Sequence, residues 1–205
     1  MGNEFNLTKL QTDTLREVCG IGAGHAATAL SQLMNVKINM SVPQIEMVPI
    51  EKVNFLFKNQ EELSVGIYLK ILGEAPGSLL MIFPCKDALN LVRNVMPTGD
   101  SNKNTLTELD YSTLKEIGNI IAGSFLAVFS SLTHKPMIMS VPHLACDMAG
   151  SIIDFMLIEL AQVVEQALVF EIELYDVPKN LTLKFIILPN PGSMELLLKA
   201  IGANS

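Results

Sequence analysis

An internal repeat is the feature of this sequence that most limits how the chain can fold. Residues 14–43 and 113–142 align without a gap at an offset of 99, and 12 of the 30 aligned positions hold the same residue. The segment Met-Ser-Val-Pro ends both copies unchanged. A match of this length indicates a duplication, and the duplication predicts two similar halves related by an approximate internal two-fold axis.

Similar predicted elements follow each copy of the repeat. Two β-rich runs separated by a turn, over residues 65–83 and again over 167–188, predict a hairpin in each half. A proline, Pro84 or Pro189, then leads into a short helical run. Between repeat and hairpin the halves diverge, and the second half has a helix-like stretch at residues 147–166. Each half therefore predicts the order helix, strand, variable crossover, hairpin, helix.

The predicted fold class is α/β, with the two halves sharing a mostly antiparallel sheet on which the long helices pack. We expect one domain over residues 1–205, made of two repeats at about 8–99 and 107–203. A polar, turn-rich linker near residues 98–109 joins them. The chain has 205 residues, of which 49% are apolar, so a sizeable core can be buried.

Charge and composition argue against several classes of protein. The net charge is −7 and no Lys/Arg cluster occurs, which argues against nucleic-acid binding. No stretch reaches the roughly 18 apolar residues of a membrane span, and the N-terminus lacks a signal-peptide pattern, so we expect a cytoplasmic protein without membrane insertion. Cys19, Cys85 and Cys146 have no metal-ligand spacing, so we expect reduced, mostly buried thiols and no metal site.

The second copy of the repeat predicts a long helix from about Thr107 to Leu132. Thr107 followed by Asp110 forms a capping-box pattern, and Thr8 followed by Gln11 starts the first copy similarly. At 100° per residue the apolar side chains form one stripe along the helix. This stripe consists of Leu114, Ile117, Ile121, Phe125, Val128 and Leu132.

A polar face lies opposite this stripe. Ser112, Glu116 and Asn119 occupy positions i, i+4 and i+7, so they project from the same side of the helix. Gly123 continues this face one turn on, which predicts open room beside Asn119. The spacing Glu-x-x-Asn is a weak pattern and also fits an ordinary solvated helix face.

The glycine-rich segment Gly20–Ala27 resembles a phosphate-binding loop, but it lies inside a helical pattern instead of between a strand and a helix. Its small residues predict a close approach of two helices. His25 has no His, Cys or carboxylate companion at metal-ligand spacing.

The pattern Asp/Ser-x-x-x-Glu-x-x-Asn, followed 23 positions later by Pro, resembles the CheC/CheX/FliY phosphatase family. The second copy holds it as Ser112, Glu116, Asn119 and Pro142. The first copy holds Asp13, Glu17, Gly20 and Pro43. The resemblance covers essentially the whole chain, and the first copy departs from it by lacking the asparagine.

The resemblance implies a phosphatase that acts on the phospho-aspartate of a CheY-like response regulator. In this family the regulator supplies a Mg²⁺ ion and a lysine, so no cofactor is expected on this chain. The implied role of Asn119 is to orient the attacking water, because a side-chain amide both donates and accepts hydrogen bonds. The implied role of Glu116 is to pair with the regulator's lysine and fix the docking register.

The remaining motif residues have lesser implied roles. Ser112 is an auxiliary docking contact, and Glu17 and Asp13 could still dock the regulator on the first helix. Gly20 has no amide to hold water, so the first site is degenerate. Pro43 and Pro142 border the two sites without contacting phosphate.

A second partner, the receptor-modifying deamidase CheD, is also implied by the resemblance. The segment that begins at Cys146, Asp147 and Met148 resembles the one that CheC-type proteins offer to CheD. Asp147 is the candidate contact. Alternatively, Asp147 caps the helix that follows, a role that Asp fills well.

Two other classes of function stay open. A non-catalytic adaptor that binds phosphorylated CheY or CheD, in chemotaxis or at the flagellar switch, fits the loss of the asparagine from the first copy. A small-ligand binder of unrelated type has no convergent polar cluster in its favour. The intact pair Glu116 and Asn119 favours the enzyme.

Overall fold

The computed structural model of the chain describes residues 7–42, 44–57, 59–96, 105–160, 164–175 and 181–203. The first half contains α1 (Lys9–Met34), β1 (Asn39–Ser41), β2 (Ile45–Pro49), a 3₁₀ helix (Ile50–Leu56), β3 (Leu63–Gly73), β4 (Gly77–Pro84) and α2 (Cys85–Val95). The second half contains α3 (Glu108–Thr133), β5 (Met137–Met139), β6 (His143–Met148), α4 (Ala149–Leu160), β7 (Gln166–Tyr175), β8 (Leu181–Pro189) and α5 (Pro191–Ala203). The same order of elements occurs twice, which confirms the predicted α/β fold class.

The strands form one sheet in the order β1-β7-β8-β4-β3-β5. Every strand pair in the described ranges is antiparallel. Exchanging the two halves turns this order into its own reverse. The approximate two-fold axis therefore passes between β4 and β8, which pair at the centre of the sheet.

Each half gives its first two strands to the hairpin of the other half. Strands β1 and β2 lie along the outer edge of β7, where Met40 faces Leu174 and Met47 faces Leu168. Strands β5 and β6 lie in the same way along β3. The sequence predicted strands at β1 and β5 but neither this exchange nor the additional strands β2 and β6.

Alternate side chains of the strands pack into two hydrophobic cores, one on each face of the sheet. The larger core contains the helices α1, α2, α3 and α5. At its centre the rings of Phe125, Phe170 and Phe185 contact one another, with centroids 4.7–5.3 Å apart. The smaller core lies under the 3₁₀ helix and α4. The two halves thus differ most on this second face, where a short 3₁₀ helix in one half replaces an α-helix in the other.

The close approach of two helices predicted from the small residues of the first repeat is confirmed. A Cβ atom added to Gly22 of α1 would lie 3.1 Å from Cδ1 and 3.3 Å from Cα of Phe125 on α3. Gly118 of α3 lies equally close to the sheet, since an added Cβ would be 3.0 Å from Cγ2 of Ile67. By length and composition alone α3 could cross a membrane, but its apolar side is packed into the larger core.

Two predictions need correction. The helix-like stretch at residues 147–166 is shorter than predicted: α4 spans Ala149–Leu160, because Met148 is held in β6 by pairing with Leu63 and Gln166 already belongs to β7. The cysteines are not mostly buried either. Cys19 is buried, whereas Cys85 is partly exposed and Cys146 is exposed on β6, a strand that the sequence did not predict.

Candidate active site

The matching elements of the two repeats place α1 and α3 side by side, and α3 carries the complete motif. Its N-terminus is fixed by a capping box in which the backbone N–H of Thr107 donates to the buried carboxylate of Asp110, at 2.5 Å. One side of α3 is locked into the larger core through Leu114, Ile117 and Ile121. The opposite side therefore presents its polar groups from a rigid support.

Glu116 and Asn119 lie on this open side of α3. Glu116 is exposed and Asn119 is half-buried. Within the described part of the chain, neither side chain has a hydrogen-bond partner or an ion-pair partner. A carboxylate and an amide, less than one helical turn apart, are thus free to bind groups from outside the protein.

Ser112 completes the motif at the start of this face. It is exposed, and its hydroxyl donates to the backbone carbonyl of Glu108 at 3.0 Å. The hydroxyl proton is thereby used within the helix, while the oxygen can still accept a hydrogen bond. Ser112 is better suited to accept from a partner than to donate to one.

The room predicted beside Asn119 is narrower than expected. A Cβ atom added to Gly123 would lie 3.3 Å from Cε of Met139, the last residue of β5. Met139 therefore borders the face at the turn that follows Asn119. Pro142 is buried in the connection between β5 and β6, and Pro43 lies outside the described residues.

The first repeat presents a different face on α1. Asp13 forms an ion pair with Arg16 of the same helix, with Oδ1 and Nη1 3.1 Å apart. Glu17 and His25 are exposed. An added Cβ atom at Gly20 would meet nothing within 4 Å, so a side chain is missing here although there is space for one.

Asp147 is exposed on β6, opposite Ser64 of β3. Its carboxylate accepts a hydrogen bond only from the adjacent backbone N–H of Met148, at 2.7 Å, among the contacts of the described residues. The first backbone N–H groups of α4 donate instead to carbonyl oxygens of the segment before β3: Ala149 to Glu62 and Gly150 to Gln60. The alternative role of Asp147 as the cap of α4 is therefore wrong.

A groove of about 570 Å³ lies beside Asp147, between the sheet and α4. Lys70, His143 and Phe155 line it together with Asp147. Phe155 is 73% exposed, and Ile158 on the next turn of α4 is 78% exposed. The sequence patterns described above did not predict this groove. The available signal was the run Asp154–Glu159, which has more large apolar residues than one buried helix face can use.

Comparison with known proteins gives consistent matches. The sequence model of the CheC-like family matches residues 10–47 and 111–144, two ranges that contain the two copies of the repeat. The CheY-P phosphatase CheC of Bacillus subtilis strain 168 is 36% identical to this chain over 198 residues, 95% of either chain.

Solved structures share the fold. The crystal structure of Thermotoga maritima FliY matches with a TM-score of 0.77 and 19% identity, over 97% of this chain and 99% of that one. The CheX-CheY-BeF3-Mg²⁺ complex from Borrelia burgdorferi matches with a TM-score of 0.51 and 18% identity, over 82% of this chain and 96% of that one.

Proposed function

Because this chain belongs to the CheC-like family, we propose that it is a phosphatase that hydrolyses the phospho-aspartate of a CheY-like response regulator. The Bacillus subtilis relative that matches it over nearly its whole length is named for this activity. The observation that carries the proposal is the pair of an exposed Glu116 and a half-buried Asn119 on the open side of α3, where neither side chain has a partner in the described part of the protein.

Asn119 is the catalytic residue of the proposed site. In the reaction, the oxygen of a water bonds to the phosphorus while the bond from phosphorus to the aspartate oxygen of the regulator breaks. The products are inorganic phosphate and a free carboxylate. The carbonyl oxygen of the Asn119 amide accepts a hydrogen bond from that water, and its N–H group donates a hydrogen bond toward the phosphoryl oxygens. Both protons of the water leave with the inorganic phosphate. Catalysis of this kind consists mainly of positioning, which an amide on a packed helix provides.

Glu116 positions the regulator. Its exposed carboxylate forms an ion pair with the regulator's active-site lysine, and this fixes the register in which Asn119 meets the phosphoryl group. Ser112 adds a docking contact one turn earlier. On α1, Glu17 and Asp13 can dock a regulator, but Gly20 leaves it without an amide to hold water.

The Mg²⁺ ion of the reaction belongs to the regulator in this proposal. Mg²⁺ is usually bound through one or two carboxylates together with phosphate and water. The phosphoryl group of this reaction is on the regulator, so we expect the ion there. The fold match to the CheX-CheY-BeF3-Mg²⁺ complex supports a division of the site between two proteins. We place the protein in the cytoplasm, where such regulators act, without insertion into the membrane and without nucleic acid.

The groove beside Asp147 is the proposed docking surface for CheD. An exposed aromatic side chain beside acidic and basic groups is typical of protein interfaces, and Phe155 supplies it here. This surface, together with the degenerate face of α1, supports a second candidate function. In that function the chain is a non-catalytic adaptor that binds CheD or the phosphorylated regulator.

The decay of a phosphorylated CheY-like regulator, measured with and without this protein in the presence of Mg²⁺, tests the proposal. The protein should accelerate the decay. Glu116→Gln should reduce this acceleration, and Glu195→Gln is the matched control that should not, since Glu195 is an exposed carboxylate on α5. An unchanged decay rate, combined with binding of the phosphorylated regulator, would establish the adaptor instead.

Docking of CheD is tested separately by titration with purified CheD. Asp147→Lys should weaken the complex. Glu46→Lys is the matched control, because Glu46 is an exposed acid on β2, which pairs with β7 as β6 pairs with β3. Equal affinities of the two variants would remove Asp147 from the interface.

A further inference from the structure

Two cysteines that are far apart in the sequence lie in contact. The Sγ atoms of Cys85 and Cys146 are 2.8 Å apart, although 61 residues separate them. Cys85 is the first residue of α2, directly after β4, and Cys146 lies in β6 opposite Val65 of β3. Strand β3 lies between β4 and β6, so the contact joins an element of the first half to one of the second half across it.

The surroundings distinguish this pair from the third cysteine. Cys19 is fully buried in the larger core, where burial raises its pKa to about 12 and makes the thiol inert. Cys85 is partly exposed and Cys146 is exposed, so small reagents in solution can reach the pair. Sulfur atoms in a disulfide are about 2.05 Å apart, so bond formation requires a movement of less than about 1 Å.

We infer that Cys85 and Cys146 form a redox-sensitive dithiol site, which a hydroperoxide converts into a reversible intramolecular disulfide. The exposed sulfur of Cys146 first attacks the hydroperoxide, whose O–O bond breaks to give a sulfenic acid and an alcohol, or water from hydrogen peroxide. The sulfur of Cys85 then attacks that of Cys146. The S–S bond forms, the S–O bond breaks, and the oxygen leaves as water with the thiol proton of Cys85. The two sulfurs together lose two electrons, which reduce the hydroperoxide.

The order of these steps follows from the two environments. Burial, followed by the hydrogen bond to Cys146, raises the pKa of Cys85 to about 12. Cys85 is therefore a protonated thiol at neutral pH and a poor first nucleophile. Its place is that of the resolving thiol, in contact with the sulfur that the oxidant modifies.

The position of the pair gives the disulfide structural consequences. It would fasten β6, where Asp147 follows Cys146 directly, to the start of α2. Tyr111 of α3 is close to both thiols. Burial is the largest cause of the raised pKa of Tyr111, and the charges of Cys146 and Cys85 raise it further. The bond would therefore form beside the first turns of the helix that carries Glu116. Because it closes a long loop, we expect oxidation to raise the melting temperature by roughly 5–10 °C.

The full-length protein, treated with hydrogen peroxide and then denatured, provides the test. Titratable thiols should fall from three to one, the monomer should lose the mass of two hydrogen atoms, and peptide mapping should link Cys85 to Cys146. Dithiothreitol should restore all three thiols and the original melting temperature. Cys19→Ala, which has two thiols, should lose both on oxidation and form the same link between Cys85 and Cys146, because Cys19 takes no part.

The single variants Cys85→Ser and Cys146→Ser should form no intramolecular link. In Cys85→Ser, Cys146 should accumulate as a sulfenic acid that a dimedone probe captures. Cys85→Ala replaces Cys85→Ser if serine is not tolerated beside the core. Three titratable thiols after oxidation, a link that involves Cys19, or cross-linking only between chains would each overturn the inference.

Discussion

Helices α1 and α3 are copies of one element, and they differ both in the core and at the proposed site. Each is 26 residues long, begins with a capping box and ends in a residue with left-handed backbone, Asn35 or His134. Their inner sides pack against each other and the sheet. On the outer side α3 carries an amide at Asn119, whereas α1 has Gly20. The inner sides differ in size, since α1 has Gly22 and Ala26 where α3 has Ile121 and Phe125. The outer sides keep the carboxylate, Glu17 or Glu116, and differ in the amide.

Removal of the amide from α3 should have the largest effect. Asn119→Ala should reduce the acceleration of phospho-regulator decay on the order of 100-fold, because the water loses the group that orients it. The melting temperature should stay nearly unchanged, because Asn119 is half-buried and bonds to no described residue. Full activity in this variant would show that the protein hydrolyses the phospho-regulator without this amide and that Asn119 is not the catalytic residue.

Removal of the exposed carboxylate from each helix should reveal a smaller difference in phosphatase activity between the two faces. Glu116→Ala should lower activity about 10-fold, mainly through weaker regulator binding, because an ion pair with the regulator's lysine is lost. Glu17→Ala on α1 is the matched control and should change the rate little. The concentration dependence of the decay rate distinguishes weaker binding from slower chemistry. Equal losses in the two variants would mean that both faces dock the substrate productively.

Restoring the amide on α1 asks whether the first face has lost only that group. Gly20→Asn should return measurable activity to the Asn119→Ala variant, roughly 10-fold above its residual rate, because Asp13 and Glu17 are in place and the space at Gly20 is open. The decay assay checks it. A variant that stays inactive would show that the α1 face differs further, through the ion pair between Asp13 and Arg16 or through the exposed His25.

The smallest effect concerns stability. Gly20→Ala should raise the free energy of unfolding by about 1 kcal/mol, or the melting temperature by roughly 2–4 °C, since alanine is the better helix former and the site is open. Gly22→Ala is the control on the packed side of α1. There the new methyl group would lie 3.1 Å from Cδ1 of Phe125, so the gain should be cancelled or reversed. A similar gain at both positions would mean that the contact between α1 and α3 is looser than described.

The elements of this fold were largely predictable, because periodicity and turn residues are local signals. The duplicated segment gave α1 and α3 with their caps, and the runs flanked by Pro84 and Pro189 gave both hairpins. The exposed side of Glu116 followed from the helical period alone. The roles of the motif residues came from family resemblance and stay predictions.

Contacts between distant segments were not predictable, because the sequence shows which residues form a strand but not where that strand pairs. Residues 143–148 have no strand pattern of their own. They form β6, up to Met148, because they pair with β3. The contact between Cys85 and Cys146 depends on that pairing, and so does the groove beside Asp147. The position of Met139 beside Gly123, one turn after Asn119, likewise depends on how β5 lies beside α3.

The exchange of strands between the halves has a consequence for the order in which the chain can fold as it leaves the ribosome. Met40 of β1 pairs with Leu174 of β7, so the first strand cannot enter the sheet until most of the protein has been synthesised. Contacts over such sequence distances slow folding, and the waiting segments expose unpaired strand edges. A nascent chain that stalls between the two copies would hold a helix and a hairpin whose outer edge has no strand to cover it. We therefore expect the first half to need protection by a chaperone during synthesis, even though it repeats the second half almost element for element.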